Sequence, residues 1–259
     1  MSYCVGDDNC GVAMQGTVLV EQFCAAPPGK LYCLHGGSGV FRLSLLAAGH
    51  ALLNGVPVTL VDGSNRFDLY GLAEFARRAA GSNGVPEQVL QNIFISRAFT
   101  CYQMEAVLTE RLPAFVHEKH SPVVLIFGLL DTFYDEQAPL FEVRNALERI
   151  LNALHALRNE GIALLLASTD IRPASSSRTA LFPRLASSMD RVYRLAEEAD
   201  GRWSLEKDNG ESRIHNPQWR TEKGHGTNST DIYDGSPAGI GKLVQVPAGA
   251  AQRRSGCAG

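Results

Sequence analysis

Three glycines between an apolar run and a helical pattern are where this chain could do chemistry. Residues 31–46 read LYCLHGGSGVFRLSLL, with Gly36, Gly37 and Gly39 following Leu31–Leu34 and preceding Leu43, Leu45, Leu46 and Ala47. Strand, glycine turn and helix N-terminus together can hold phosphate on backbone N–H groups. The spelling that does so is G-x-x-x-x-G-K-[ST]. With Gly36 as its first glycine, the second falls at Phe41, the lysine at Arg42 and the hydroxyl at Leu43. Gly36, Gly37, Ser38, Gly39 and Arg42 are therefore the candidate phosphate-binding set. Two readings of Gly36–Gly39 stand open, a remnant phosphate cradle and a tight turn kept for packing.

Other candidates are fewer. Asp62, ahead of Gly63, Asn65 and Arg66, could face a ligand crevice or serve as turn chemistry, and the turn is favoured. Arg97 reads as a structural hydrogen-bond donor. Ile171–Arg184 carries Arg172, Arg178 and Arg184 among Ser175, Ser176 and Ser177, three cations that could neutralise phosphates or form a solvated basic loop. No aromatic series is interleaved there for base stacking. His35, His50 and His155 read as packing or surface residues, and His117 and His120 are too loosely placed for a metal pair. The six cysteines, Cys4, Cys10, Cys24, Cys33, Cys101 and Cys257, lack zinc-knuckle spacing and read as free thiols.

The elements that must position these residues follow from periodicity. Apolar runs at Lys30–Leu34, Val56–Val61, Asn92–Ser96, Pro122–Phe127 and Ile162–Ala167 read as buried strands. Between them, helical stripes cover Arg42–Leu53, Leu69–Ala80, Tyr102–His117 and Leu140–Leu157. Thr17–Cys24 could be a further short strand, and Gly81–Val85 reads as loop. Such alternation predicts an α/β fold with a mainly parallel sheet covered by helices on both faces. Arg191–Glu197 and Arg202–Lys207, around Ala199-Asp200-Gly201, predict an antiparallel hairpin at its edge.

Bulk properties bound the rest. The chain has 259 residues, 45% hydrophobic and 20% charged, enough for one ordinary α/β domain. A net charge of −3 gives no global field for nucleic acid, so any such contact must be a local patch. No apolar stretch approaches the roughly 20 residues of a membrane span. The acidic N-terminus, MSYCVGDDNCG, does not read as a secretory signal, so no membrane association and a cytoplasmic location are expected. Residues 1–27 read as a lead-in, 28–208 as the core, and 209–259 as a mostly irregular tail. Within that tail Trp219 and the string GHGTNSTDIYDGS could form a docking segment.

The order of glycine turn, VTLVDGSNRFDLYGLAEFAR, NIFISRAFTCYQMEAVL, VVLIFGLLDTFYDE and GIALLLASTD resembles the core ATPase domain of RecA/RadA-type recombinases. Asn92–Leu108 is the most specific piece, and the likeness covers roughly Pro28 to Asp208. The resemblance implies a P-loop NTPase fold in which a lysine, a magnesium-binding hydroxyl and two acids work on ATP. Here those positions hold Arg42, Leu43, Ser64 or Asn65, and Gly128. Arginine is a poor substitute for a compact ammonium, and leucine coordinates nothing. Asp131 and Asp135 lie three and seven residues past Gly128, roughly 10 Å or more along an extended chain.

The expectation is a non-hydrolysing RecA-like binding or regulatory subunit, retaining ATP at most weakly and without Mg²⁺. It would pair with itself or with a RecA-like partner, with single-stranded DNA on the Ile171–Arg184 loop, in DNA repair or recombination. The alternatives are an ATPase that uses Arg42 for phosphate and Asp131 or Asp135 for metal, and an α/β interaction domain whose tail is the functional part.

Overall fold

A computed structural model describes residues 23, 29–80, 86–135, 137–197, 203–208 and 244–245. The expected strand Thr17–Cys24 lies outside these apart from Phe23, as do the Gly81–Val85 loop, Trp219 and the GHGTNSTDIYDGS string. Six parallel strands form the heart of the sheet: β1 Lys30–Gly36, β2 Val58–Asp62, β3 Ile93–Arg97, β4 Val123–Phe127, β5 Ala163–Thr169 and β6 Arg191–Glu197. Antiparallel β7 Trp203–Asp208 closes one edge against β6, as the hairpin pattern predicts. A two-residue β8, Val244–Gln245, lies antiparallel to β3 at the other edge. The full order is β7-β6-β1-β5-β4-β2-β3-β8. This mainly parallel α/β architecture is consistent with a RecA-like fold.

The connecting helices are α1 Gly39–Leu53, α2 Leu69–Ala80, α3 Pro86–Gln91, α4 Cys101–Ala106, α5 Leu112–Glu118, α6 Leu140–Asn159 and α7 Leu181–Ala186. Helices α4 and α5 are joined by a π turn over Val107–Arg111. Pro113 has no N–H to offer Thr109, and its ring would crowd that carbonyl in a regular helix, so the wider turn relieves both. No helix among the described residues is long and apolar enough to cross a membrane.

Strand side chains alternate between two cores, which is why the strands read as unbroken apolar runs. Tyr32 and Leu34 of β1 join Leu125 and Phe127 of β4, Leu165 of β5, and the apolar faces of α1 and α2. Leu31 and Cys33 join Val124, Ile126, Leu164 and Leu166 with α4, α5, α6 and α7 on the opposite face. The helices that follow β1 and β5 thus lie on opposite faces, and so do those that follow β2 and β4. At such divides a crevice opens beyond the carboxyl ends of the strands.

Two expectations need correction. Helix α1 begins at Gly39 rather than Arg42, because Val40 and Phe41 are buried core residues. The Ile171–Arg184 stretch is only partly loop: Ser176–Arg178 forms a 3₁₀ turn and α7 begins at Leu181. Leu181 and Leu185, one turn apart, bury themselves in the second core.

Candidate functional site

The β1–α1 connection consists of Gly37 and Ser38 alone. Gly36 ends the strand with φ +132, and a Cβ there would collide with the Leu195 carbonyl oxygen of β6. Its lack of a side chain is therefore required by a neighbouring strand. The Gly37 N–H donates to the same carbonyl at 3.2 Å, and Val40 N–H donates back to Gly37 O at 3.1 Å. The cradle spelled G-x-x-x-x-G-K-[ST] needs a longer loop whose N–H groups point inward around the phosphates. This turn spends two of its N–H groups on its own fold.

The positions that follow are equally committed. Phe41 is buried, with its ring 5.1 Å from that of Phe127 at the end of β4. Ser44 is fully buried and donates to Val40 O at 2.8 Å, so no hydroxyl from α1 faces outward at the turn. Arg42 lies exposed on the first turn of α1. The residues present do not fit a nucleotide triphosphate with Mg²⁺ at this turn, and no chemistry is routed through one.

A second set of polar groups gathers where β2 and β4 end. Asp62 is fully buried and serves its own loop, accepting from Ser64 N at 3.2 Å, Arg66 N at 3.1 Å and Phe67 N at 3.0 Å. That is the turn reading. Gly128 adopts φ +60 and reverses the chain after β4, with Asp131 N donating to Gly128 O at 3.1 Å. The expectation that Asp131 lies roughly 10 Å away along an extended chain is overturned by this reversal. The position of a Cβ at Gly128 falls 2.8 Å from Asp131 Oδ2 and 2.7 Å from Ser64 Oγ.

Ser64 Oγ and Asp131 Oδ1 are both buried without a hydrogen-bond partner among the described residues. Burial, reinforced by the Asp62 charge and opposed by Arg66, pushes the Asp131 carboxyl up. No cluster of three or more metal-ligating side chains occurs among the described residues.

At the β1/β5 divide, His35 Nδ1 lies 2.9 Å from Asp170 Oδ1. A carboxylate only accepts, so Nδ1 carries the proton. The ring packs on Phe182, and Arg194 of β6 approaches the second carboxylate oxygen at 3.7 Å. The His35 hydrogen bond, with the His35 and Arg194 charges behind it, holds Asp170 below the ordinary carboxylate range despite burial. Tyr134 is influenced by both acid sites, its phenol pushed up to about 12 by burial and then by the Asp131 and Asp170 charges. Sequence reasoning raised Asp62, Ser64 and Asp131 singly but missed both assemblies, since their members sit at the ends of different strands.

The arginines expected on the DNA-contacting loop are dispersed. Arg172 is exposed. Arg178 is buried and donates to Phe133 O at 2.6 Å and to Ala138 O, stapling the loop after β4. Such a guanidinium cannot reach a phosphate. Arg184 grips Glu148 of α6 through two bonds of 2.6 Å. Arg97, expected to be a structural donor, is exposed with no hydrogen bond or ion pair among the described residues.

All the large exposed hydrophobic residues found, Tyr70, Phe99, Tyr102, Phe141 and Ile171, lie just after parallel strands or in the first turn of the next helix. The sequence matches no protein-family model and no curated protein.

Proposed function

We propose that this chain is a non-hydrolysing protein of RecA-like build, a binding or regulatory subunit that pairs with itself or with an active RecA-like ATPase. The observation that carries this reading is the two-residue β1–α1 turn sealed against Leu195, which leaves no loop to wrap a triphosphate. Its place in DNA repair or recombination rests on the resemblance of residues 28–208 alone. ATP turnover by the purified chain, with and without single-stranded DNA, tests it. Background rates are expected in both conditions. Mg²⁺-dependent turnover that disappears in Arg42→Ala would remove the reading.

One observation favours a second reading, an ATPase with atypical residues. The reversal at Gly128 brings the Asp131 carboxylate back over the end of β4. Turnover abolished by Asp131→Asn would establish it.

A further inference from the structure

We infer that the outer edge of β3 docks the β3 of a second copy of this chain, and that Val244–Gln245 holds this edge shut within the single chain. The two edges of the sheet are protected in different ways. Outermost β7 ends in Glu206, Lys207 and Asp208, charges that discourage pairing with another strand. β3 reads Ile93, Phe94, Ile95 and Ser96 before Arg97, with no charge or proline until that last residue. Among the described residues, only the two of β8 lie beyond it.

The side faces of β3 are already occupied. Ile93 and Ile95 pack into the first core. The Phe94 ring meets that of Phe115 edge-on at 5.4 Å, with Lys119 Nζ 5.8 Å from its centre. What remains is the backbone. Asn92 O accepts from Val58 N–H, and Ala98 N–H donates to Asp62 O, so the even-numbered residues of this strand face β2. The N–H and C=O groups of Ile93, Ile95 and Arg97 therefore point outward. Val244 lies opposite Ile95 and answers it, whereas Gln245, opposite Phe94, turns its own backbone groups away.

The outward set is symmetric about Ile95. A second copy turned by a two-fold axis at that residue sets Ile95 against Ile95 and Ile93 against Arg97. Every outward N–H then meets a C=O. The two Arg97 side chains fall roughly 13 Å apart along the strands, so no like charges meet. Such a pair matches three residues on each strand, against the one that β8 answers. The cover holds in the single chain because it is tethered and needs no second molecule. This inference deepens the self-pairing of the proposed binding subunit and rests on that reading only for what the pair serves.

Sedimentation equilibrium and amide hydrogen exchange on the full-length chain test it. Val244→Pro deletes the N–H that reaches Ile95 O and should double the parent's mass. Gln245→Pro, whose N–H faces away from β3, should leave the mass unchanged. Adding Arg97→Pro to Val244→Pro should weaken the dimer roughly tenfold or more, since each strand loses an outward N–H. The Ile95 amide should exchange slowly in the parent and in Val244→Pro, and about tenfold faster in the double variant. The Phe94 amide, facing β2, should stay slow throughout and reports that each variant is folded. A Val244→Pro chain of unchanged mass, open-ended assemblies, or a dimer indifferent to Arg97→Pro would overturn the inference. So would a parent whose mass falls on Val244→Pro, which would give the edge to exchanged β8 segments. ATP turnover is read separately, so either proposal can fail alone.

Discussion

The amino and carboxyl ends of the parallel sheet are built by different rules. At the amino end, polar groups are matched. Asp190 accepts from Leu31 N at 2.8 Å and from Arg158 Nη1 at 2.5 Å, Thr59 donates to Ser121 Oγ at 3.0 Å, and Lys30 Nζ donates to Phe23 O at 2.8 Å. At the carboxyl end, Ser64 and Asp131 keep buried polar atoms unbonded, Arg42 and Arg97 are exposed without acid partners among the described residues, and aromatic rings stand in solvent. Unsatisfied buried polar groups of this kind mark a candidate contact site. Asp62 and the His35–Asp170 pair are matched there too, and the β1–α1 turn is the clearest exception. It lies at the carboxyl end but is closed like the amino end.

That exception gives the largest expected effect. Gly36→Ala forces a side chain against backbone at φ +132 and should cost about 3 kcal/mol or more in urea denaturation. Gly55 has a positive φ of +74 but open space around it, so Gly55→Ala should cost only about 1 kcal/mol. Near-equal losses would mean that β6 does not seal the turn. At the amino end, Asp190→Ala removes an acceptor for a backbone N–H and a guanidinium, for about 2 to 3 kcal/mol.

The carboxyl end should respond with the opposite sign. The raised carboxyl of Asp131 favours folding most when protonated, and that advantage is lost as pH rises through its folded pKa. Asp131→Asn should therefore stabilise the chain at pH 7, with the gain vanishing as pH falls below the ordinary carboxylate range. Asp170 runs the other way. Its depressed carboxyl stabilises above the unfolded value near 3.8, and this is lost as pH falls through the lower folded value. Asp170→Asn should destabilise at neutral pH and become neutral in strong acid. Smallest of all, Arg42→Ala and Arg97→Ala should leave stability within about 0.5 kcal/mol, as exposed, unpaired positions do.

How far the sequence could be read depended on whether the signal was local. β4 and α6 stood out because an unbroken VVLIF run and a leucine stripe each announce their own burial. The edge hairpin followed from its turn. Helix α7 was hidden by Pro183, which is tolerated in a first helical turn, and its Leu181 and Leu185 pair gave too short a pattern. β8 carries no local signal, only its pairing with β3.

At the candidate site, a motif spelling suggested a loop through Phe41 and Arg42. Burial of Val40 and Phe41 drew the helix back to Gly39 and removed that loop. Asp131 was misplaced because an extended chain was assumed after β4. A glycine directly following a buried strand is the one local hint of the reversal that brings it home. His35 with Asp170, and Tyr102 with Glu142, join residues far apart in the chain, which no single-sequence pattern displays.

The central claim is that the Gly36–Gly39 turn is closed to phosphate. Its most direct test is an NMR titration of the full chain with ATP and Mg²⁺, following the amides of Gly36, Gly37, Ser38 and Gly39. Those four signals should hold their positions up to about 10 mM nucleotide, far weaker than a working site would require. Saturable shifts at the four amides, lost in Arg42→Ala, would contradict the account.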